Sequence, residues 1–524
     1  MLRNKRFILK IMSKKNACML EDRHFNLTFN ERGILMDARQ KSDSYEAGPG
    51  GTAAMAASSL NGDMEMNSAE MESALENDFV EEPVPAEHRV IWPSLAFVAF
   101  GMAMFVGLYY TGVQLGTSMG NLSNALFAIL GGGIFLGFFM ALNGLIGYKT
   151  GCNTALASIY AYGSVGALIP SFYVADLGWF LIMIAQFSLI LSGLVPSIDS
   201  RVFCIIFSIL FITNGFIGFK QMAKLNSMAM PILLLTGLYG VLRVHLITPG
   251  GLAGVFDKTF PDEISMGVAM TAVVGTWVAG ASRALDYYRF AKRTKDVLIA
   301  ATLGFTFGFL LCISVGAIWG AGSGTTNISD TLALLGGGMI FFGALMFFLQ
   351  TWTTNEHSAY VTSAALPVFV KIVSGKNVRR RTIIAFNAIL AIAFSGIGLE
   401  KYFLPFLQIM GILIPVIGAI LLTDFFIVSR TSFHWTGHKN FYQILVTDED
   451  VTHHKFNCAV IPTLVIGALI GWKLQVGIPA INSLFGTMLC YIIFSFVFSM
   501  LQINKAEISK NISLEQRRTC GQAA

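Results

Sequence analysis

The sequence predicts an all-α polytopic membrane protein, and three observations carry that prediction. Hydrophobic residues make up 54% of the 524 residues and charged residues only 13%, whereas a soluble domain carries roughly 25% charged residues. Mean hydropathy is +0.63. Apolar stretches of about 20 residues, each long enough to cross a bilayer, recur between residues 90 and 500. The lipid bilayer is therefore an obligatory partner. The net charge of +5 calls for no nucleic acid, because membrane topology accounts for where the bases sit.

Twelve spans are expected, near residues 90–114, 123–147, 169–195, 201–219, 226–246, 266–288, 296–321, 338–366, 381–398, 403–428, 456–474 and 480–502. With both termini inside, Lys220, Lys224, Arg289, Lys292, Arg293, Lys295, Lys371, Lys376 and Arg379 to Arg381 fall on the cytoplasmic side. The opposite loops hold little beyond Lys258, Lys401 and Lys473. That asymmetry follows the positive-inside rule.

The expected divisions are a disordered cytoplasmic tail over 1–88, a ten-helix inverted-repeat core over 89–430, a cytoplasmic loop over 431–455, two peripheral spans over 456–502 and a second cytoplasmic tail over 503–524. The acidic, polar run before residue 88 (EMNSAEMESALENDFVEEPVPAEH) predicts disorder. Glu31-Arg32-Gly33 stands just before Met36. If Arg32 uses an AGR codon, this triplet resembles a purine-rich ribosome-binding site, so translation is expected to start at Met36 or later. The seven cysteines follow no disulfide or zinc spacing and read as packing residues. His434, His438, His453 and His454 share one loop and read as solvated rather than as a metal site.

Span 6 ends in GTWVAGASRALDYYRF, residues 275–290. Gly275 and Gly280 bracket Trp277, and each interior glycine costs a helix about 1 kcal/mol relative to alanine. The expectation is a helix broken around the tryptophan, since opened backbone survives in lipid only where it lines a protein cavity. A small-residue helix contact is the alternative. Span 1 carries Gly101 and Gly107 in the same way. Two interrupted spans five apart suggest an inverted five-plus-five repeat with a binding site between them.

Polar residues inside other spans point to the same cavity. Gln350, Thr353 and Thr354 lie at i, i+3 and i+4 in TWTTNEHSAY's span, hence on one helix face of hard oxygen donors suited to a small cation. The alternative is that the threonines bond back to their own helix. Asn355 points round from that face. Asp176, three residues before Trp179 in span 3, is an intramembrane acid, whose default reading is functional. Trp179 and Trp277 come from different helices and offer faces for a flat ring. Glu356, Arg283, Asp286 and Arg289 are the charged groups available for proton transfer or gating, with Glu356 an expected partner of Arg283. No nucleophile–base pair emerges, so no enzyme is expected, nor any cofactor beyond a coupling ion.

GTWVAGASRALDYYRF, TWTTNEHSAY and IPVIGAILLTDFFI, with GYKTG after span 2 and ISD before span 8, together resemble the nucleobase:cation symporter family on its cytosine permease branch. The resemblance covers about 90–430 well and 455–503 loosely. It implies the leucine-transporter-type fold, ten core helices plus two peripheral ones, and symport of a nucleobase-like ring with a cation, usually sodium. By the same resemblance, Trp179 and Trp277 stack on the ring, Asn355 hydrogen-bonds it, and Thr276 and Ala279 line it. Sodium would be held by Thr353, Thr354, Gln350 and the carbonyls of Gly101 and Phe105. The family's cytosine carriers have Phe at 277, Gln at 176, Ser at 279 and Asn at 350. An ionised Asp176 offers only acceptors, which suits rings with exocyclic amino groups. Asp176 or Glu356 as a proton carrier is the rival coupling scheme. An amine symporter on the same fold and a non-transporting sensor are the alternatives.

Overall fold

The computed structural model describes residues 27–29, 35–37, 79 and 82–501, apart from 172, 212–218, 375, 395–398, 439, 444–454 and 475. The chain divides into two units, Met1–Glu65 and Met66–Ala524. In the first, β1 (Leu27–Phe29) pairs antiparallel with β2 (Leu35–Asp37), Thr28 opposite Met36. This is local structure within a tail expected to have none. The rest of that unit lies outside the described residues.

In the second unit Phe79 and Val84 already pack against the helices, ahead of the expected boundary at 88. The reason is local. The Val84 N–H donates to the Gly151 carbonyl at 2.9 Å, the Arg89 guanidinium donates to the Tyr148 carbonyl at 2.9 Å, and the Val84 and Val90 side chains are buried. Gly151 makes this possible. It ends its helix in the left-handed region at φ 70°, a conformation that costs glycine nothing.

Span 1 is two helices, α1 (Trp92–Ala103) and α2 (Val106–Ser118). There follow α3 (Leu122–Thr150), the short α4 (Thr154–Tyr162), α5 (Tyr173–Leu194), α6 (Ser200–Leu210) and α7 (Phe219–Ile247). Span 6 is α8 (Met266–Ser282) with a terminal turn α9 (Leu285–Tyr288). Span 7 enters through a π-helical stretch, Ala300–Thr306, and continues as α10 (Phe307–Ser323). The longer helices that follow are α11 (Met339–Ser374), α12 (Arg380–Phe394), α13 (Phe403–Phe426), α14 (Val460–Lys473) and α15 (Pro479–Met500), and short helices lie at Gly251–Phe256, Thr294–Ile299 and Ile328–Leu335. Among the described residues, six helices are long and apolar enough to cross a membrane, or seven spans if the bent α1–α2 pair counts as one. Shorter apolar helices stand at the expected positions of spans 4, 6, 9 and 11, and α11 at that of span 8.

Glycines set the packing by letting backbones touch. A Cβ on Gly112 or Gly116 would strike the backbone of α10, and one on Gly316 or Gly320 would strike that of α2. This is a reciprocal small-residue interface of the kind that joins membrane helices. Span 1 also rests on span 5. Tyr109 Oη donates to the Leu233 carbonyl at 3.3 Å, and the Met230 side chain covers Gly101. Span 6 repeats the scheme with spans 2 and 10. Gly132 of α3 lies against Val273 and Met270, Gly275 against the Leu407 backbone, and Gly411 against the Thr271 backbone. Spans 1·7 and 1·5 thus correspond to 6·2 and 6·10, the exchange an inverted five-plus-five repeat requires.

Candidate functional site

The break in span 1 falls between its two glycines. The helix stops at Ala103, Phe105 is extended (φ −142°, ψ 148°), and α2 restarts at Val106 with its axis turned by 56°. The Gly101 carbonyl accepts the Met104 N–H at 3.3 Å and the Phe105 carbonyl accepts the Leu108 N–H at 3.1 Å. Each keeps a second lone pair.

Span 6 corrects the expectation. α8 is continuous through Gly275, Trp277 and Gly280, and it stops only at Arg283. Both glycines serve packing instead. Gly275 admits the Leu407 backbone, and Gly280 leaves room for the ring of Trp277 to lie back along its own helix.

The two tryptophans do converge, and a third ring meets both. The Phe105 ring is edge-on to Trp179 at 5.2 Å and to Trp277 at 6.2 Å, folded over the bare Gly107. Phe406 and Phe403 abut Trp179 at 5.3 and 6.2 Å, and Phe305 abuts Trp277 at 5.6 Å. The Phe105 side chain was not singled out in the sequence, which assigned that residue only a carbonyl. Its place after the glycine-flanked break was the available signal.

Asp176 does not present a free carboxylate. Arg283 grips it with two parallel bonds, Nη1–Oδ2 at 2.8 Å and Nη2–Oδ1 at 2.9 Å. The side chains are only 14% and 5% exposed. Arg283 is positioned by its place as the C-terminal cap of α8, where its N–H bonds back to Ala279 and Gly280. The side chain of Glu356, its expected partner, lies outside the described residues.

Other polar atoms are buried without partners. Asn355 is fully buried on α11, which packs along α5, and neither its Oδ1 nor its Nδ2 has a hydrogen-bond partner. Trp277 Nε1 and Gln350 Nε2 are likewise unpartnered. Leaving a buried polar group unsatisfied costs about 1–3 kcal/mol, so these atoms mark where a ligand is worth most. Gln186 belongs with them. Both its amide atoms are unpartnered, and it lies seven residues, two helical turns, beyond Trp179 on the same face.

The remaining expected residues are placed as follows. Thr276 donates to the Val273 carbonyl at 2.6 Å, so only its oxygen lone pairs are left; Ala279 is buried beside it. Thr353 donates to the Gln350 carbonyl at 2.9 Å, the back-bond of the alternative reading, and Thr354 is half-buried. α11 packs against α2, the helix that begins directly after Phe105, while Gly101 belongs to α1. Asp286 accepts the Thr154 N–H at 2.7 Å and so anchors the start of α4. Arg289 donates to the Phe79 carbonyl at 2.7 Å.

A second buried cluster overturns the solvated reading of one histidine. His434 is 1% exposed, with Nε2 at 3.4 Å from Asp424 Oδ1 and Nδ1 at 2.7 Å from Thr436. Tyr491 and Tyr442 donate to the two Asp424 oxygens at 2.8 and 3.0 Å. His453 and His454 lie outside the described residues, and no group of His, Cys, Asp and Glu suited to a metal occurs among those described.

A broken helix, an aromatic cluster at the break and buried unpaired amides, set in a five-plus-five exchange of helices, are the parts of a membrane transporter, not an enzyme. Comparison with known proteins makes the class specific. Residues 83–497 match the family model described as permease for cytosine/purines, uracil, thiamine, allantoin, and the chain belongs to this family. The cytosine permease of Escherichia coli (strain K12) is 25% identical over 421 residues, covering 80% of this chain and 94% of that one. In fold, the chain is similar to Mhp1 in its inward-facing conformation, with a TM-score of 0.67 at 19% identity over 80% of this chain and 93% of that one. It is also similar to Mhp1, a nucleobase-cation-symport-1 family transporter, closed with bromovinylhydantoin bound, with a TM-score of 0.61 at 19% identity over 82% and 98%.

Proposed function

We propose that the chain is a secondary symporter that carries a flat nucleobase-like heterocycle into the cell together with a cation. In this reading it crosses the cytoplasmic membrane twelve times with both termini inside. The observation that carries the reading is the fully buried Asn355, with both amide atoms unpartnered, in a member of a nucleobase permease family whose helix break gathers Phe105, Trp179 and Trp277. The rings supply stacking faces, each worth about 1–3 kcal/mol per base in nucleic-acid binders. Asn355 supplies one donor and one acceptor. Sodium is the proposed coupling ion, held by Thr353, Thr354, Gln350 and the carbonyls of Gly101 and Phe105. The amine-carrier alternative is weakened, because the carboxylate it needs is already bound by Arg283.

The test is uptake into proteoliposomes of a panel of labelled bases, with and without an inward sodium gradient. Accumulation of a base driven by sodium, lost in Trp179→Ala and Asn355→Ala proteins that still fold, supports the reading. Uptake driven equally by a proton gradient in sodium-free buffer would remove sodium from it. Wild-type uptake in either variant would remove that residue from the site.

A further inference from the structure

We propose that Asp176 and Arg283 form a cytoplasmic gate, an ion pair that closes the inner side of the site and parts when the cargo is released into the cell. The inference rests on the transporter reading above and names the device that holds its inner side shut.

The packing of the helices gives the pair its place. Spans 1, 2, 6 and 7 pack on one another, and so do spans 3, 4, 8 and 9. Arg283 belongs to the first set, at the C-terminal end of α8, and Asp176 to the second, in the first turn of α5. Their two bonds of 2.8 and 2.9 Å therefore run from one set of helices to the other. The contact of the Phe105 ring with Trp179 crosses between the same sets, but at another depth. Asp176 stands three residues before Trp179 and Arg283 six residues after Trp277, about 4.5 and 9 Å along helices that rise 1.5 Å per residue. In the proposed topology span 3 runs outward and span 6 inward, so both displacements lead to the cytoplasmic side, where Lys292, Arg293 and Lys295 follow. The ion pair is thus a layer beneath the aromatic cluster, between it and the cell interior.

The pair is also placed so that it can open. Separating two buried charges is costly when each is left bare, but here each has a second source of compensation. Asp176 lies at the N-terminal end of its helix and Arg283 at the C-terminal end of its own, the ends whose dipoles favour a carboxylate and a guanidinium respectively. The Arg283 side chain keeps 14% exposure even while paired. Parting the two sets of helices on this side admits water to both charges, which replaces the hydrogen bonds that are lost. Neither state strands a bare charge, which is the condition for a reversible gate.

The experiment is a spin-label distance measurement on the full-length protein in lipid nanodiscs without ligand, with the native cysteines replaced by serine. Labels at Lys149→Cys on span 2 and Arg381→Cys on span 9, both exposed, report the cytoplasmic distance between the two sets. Labels at Ser123→Cys and Ser197→Cys, exposed at the opposite ends, report the outer distance. The expected result is that Asp176→Asn lowers the ratio of short to long cytoplasmic distances about tenfold or more, the worth of hydrogen bonds between charged groups, while the outer distance does not lengthen. The double variant Asp176→Leu with Arg283→Leu, which leaves no unpaired charge, is expected to show the same shift and serves where the single variant does not fold. Unchanged cytoplasmic distances in these variants overturn the gate, and so does lengthening at both ends alike, which is general loosening. With base uptake by the parent protein intact, either result leaves the transporter reading standing. Absence of uptake of any base by folded parent protein overturns that reading, whatever the distances.

Discussion

The ion pair between Asp176 and Arg283 allows the sharpest test of the site's construction. Replacing Arg283 with Leu leaves a carboxylate that is 5% exposed with neither of its hydrogen bonds. Breaking a buried pair by removing one partner costs about 3–5 kcal/mol. The lower end applies here, because the Arg283 side chain retains 14% exposure and water can reach its end of the pair. Asp176→Leu strands the guanidinium in the same way. The double variant removes both charges, and buried pairs replaced by apolar groups are often neutral or even more stable. The expected pattern is two single variants destabilised by about 3 kcal/mol each and a double variant within roughly 1 kcal/mol of the parent. The assay is reversible unfolding in detergent, read as a double-mutant cycle. Single variants that each lose under about 1 kcal/mol, or losses that simply add, would refute the claim that the pair is desolvated and mutually dependent.

Three further outcomes follow from the same geometry. Gly112→Val drives a side chain into the backbone of α10, where nothing flexible can yield. Its cost should lie at or above the roughly 3 kcal/mol upper end of overpacking, seen as loss of monodisperse protein, while Gly324→Ala meets nothing within 4 Å and should cost only the strain of a left-handed residue at φ 77°, about 1–2 kcal/mol. Phe105→Ala removes the ring that meets both tryptophans; intrinsic fluorescence should shift and, in protein that still unfolds cooperatively, base affinity should change by about tenfold or more. Burial pushes the Cys152 thiol up to about 11, so roughly one thiol in three thousand is ionised at pH 7.5. A maleimide should therefore label it in unfolded but not native protein.

How far the sequence could be read depended on what each residue type can mean. The apolar runs placed the helices, because a lipid-spanning segment has few other forms. The glycines were ambiguous. Gly101 and Gly107 do flank a true break, but Gly275 and Gly280 keep their helix intact and make space for the Leu407 backbone and the Trp277 ring. Both uses require the absence of a Cβ, so spacing alone does not separate them. The acid in span 3 was legible as unusual, yet its partner stands 107 residues away. His434 read as solvated because it belongs to a polar loop. Its burial depends on Asp424, Tyr442 and Tyr491, which meet only when the helices have packed.

The same distinction decides how much of a relative's chemistry transfers to this chain. Aligned by position, Asp176 reads as a group facing the ligand, and changing an amide there to a carboxylate predicts a preference for amino-bearing rings. In the structure that carboxylate is not free. Arg283, projecting from the end of span 6, gives each carboxylate oxygen one hydrogen bond and balances its charge, while the polar atoms of Asn355 and Trp277 Nε1 are left without partners. A carboxylate neutralised by a guanidinium is a different partner from a free one, however well its position aligns. At 25% identity the frame of helices is shared, and the substrate is decided by which polar atoms the neighbouring side chains leave unsatisfied.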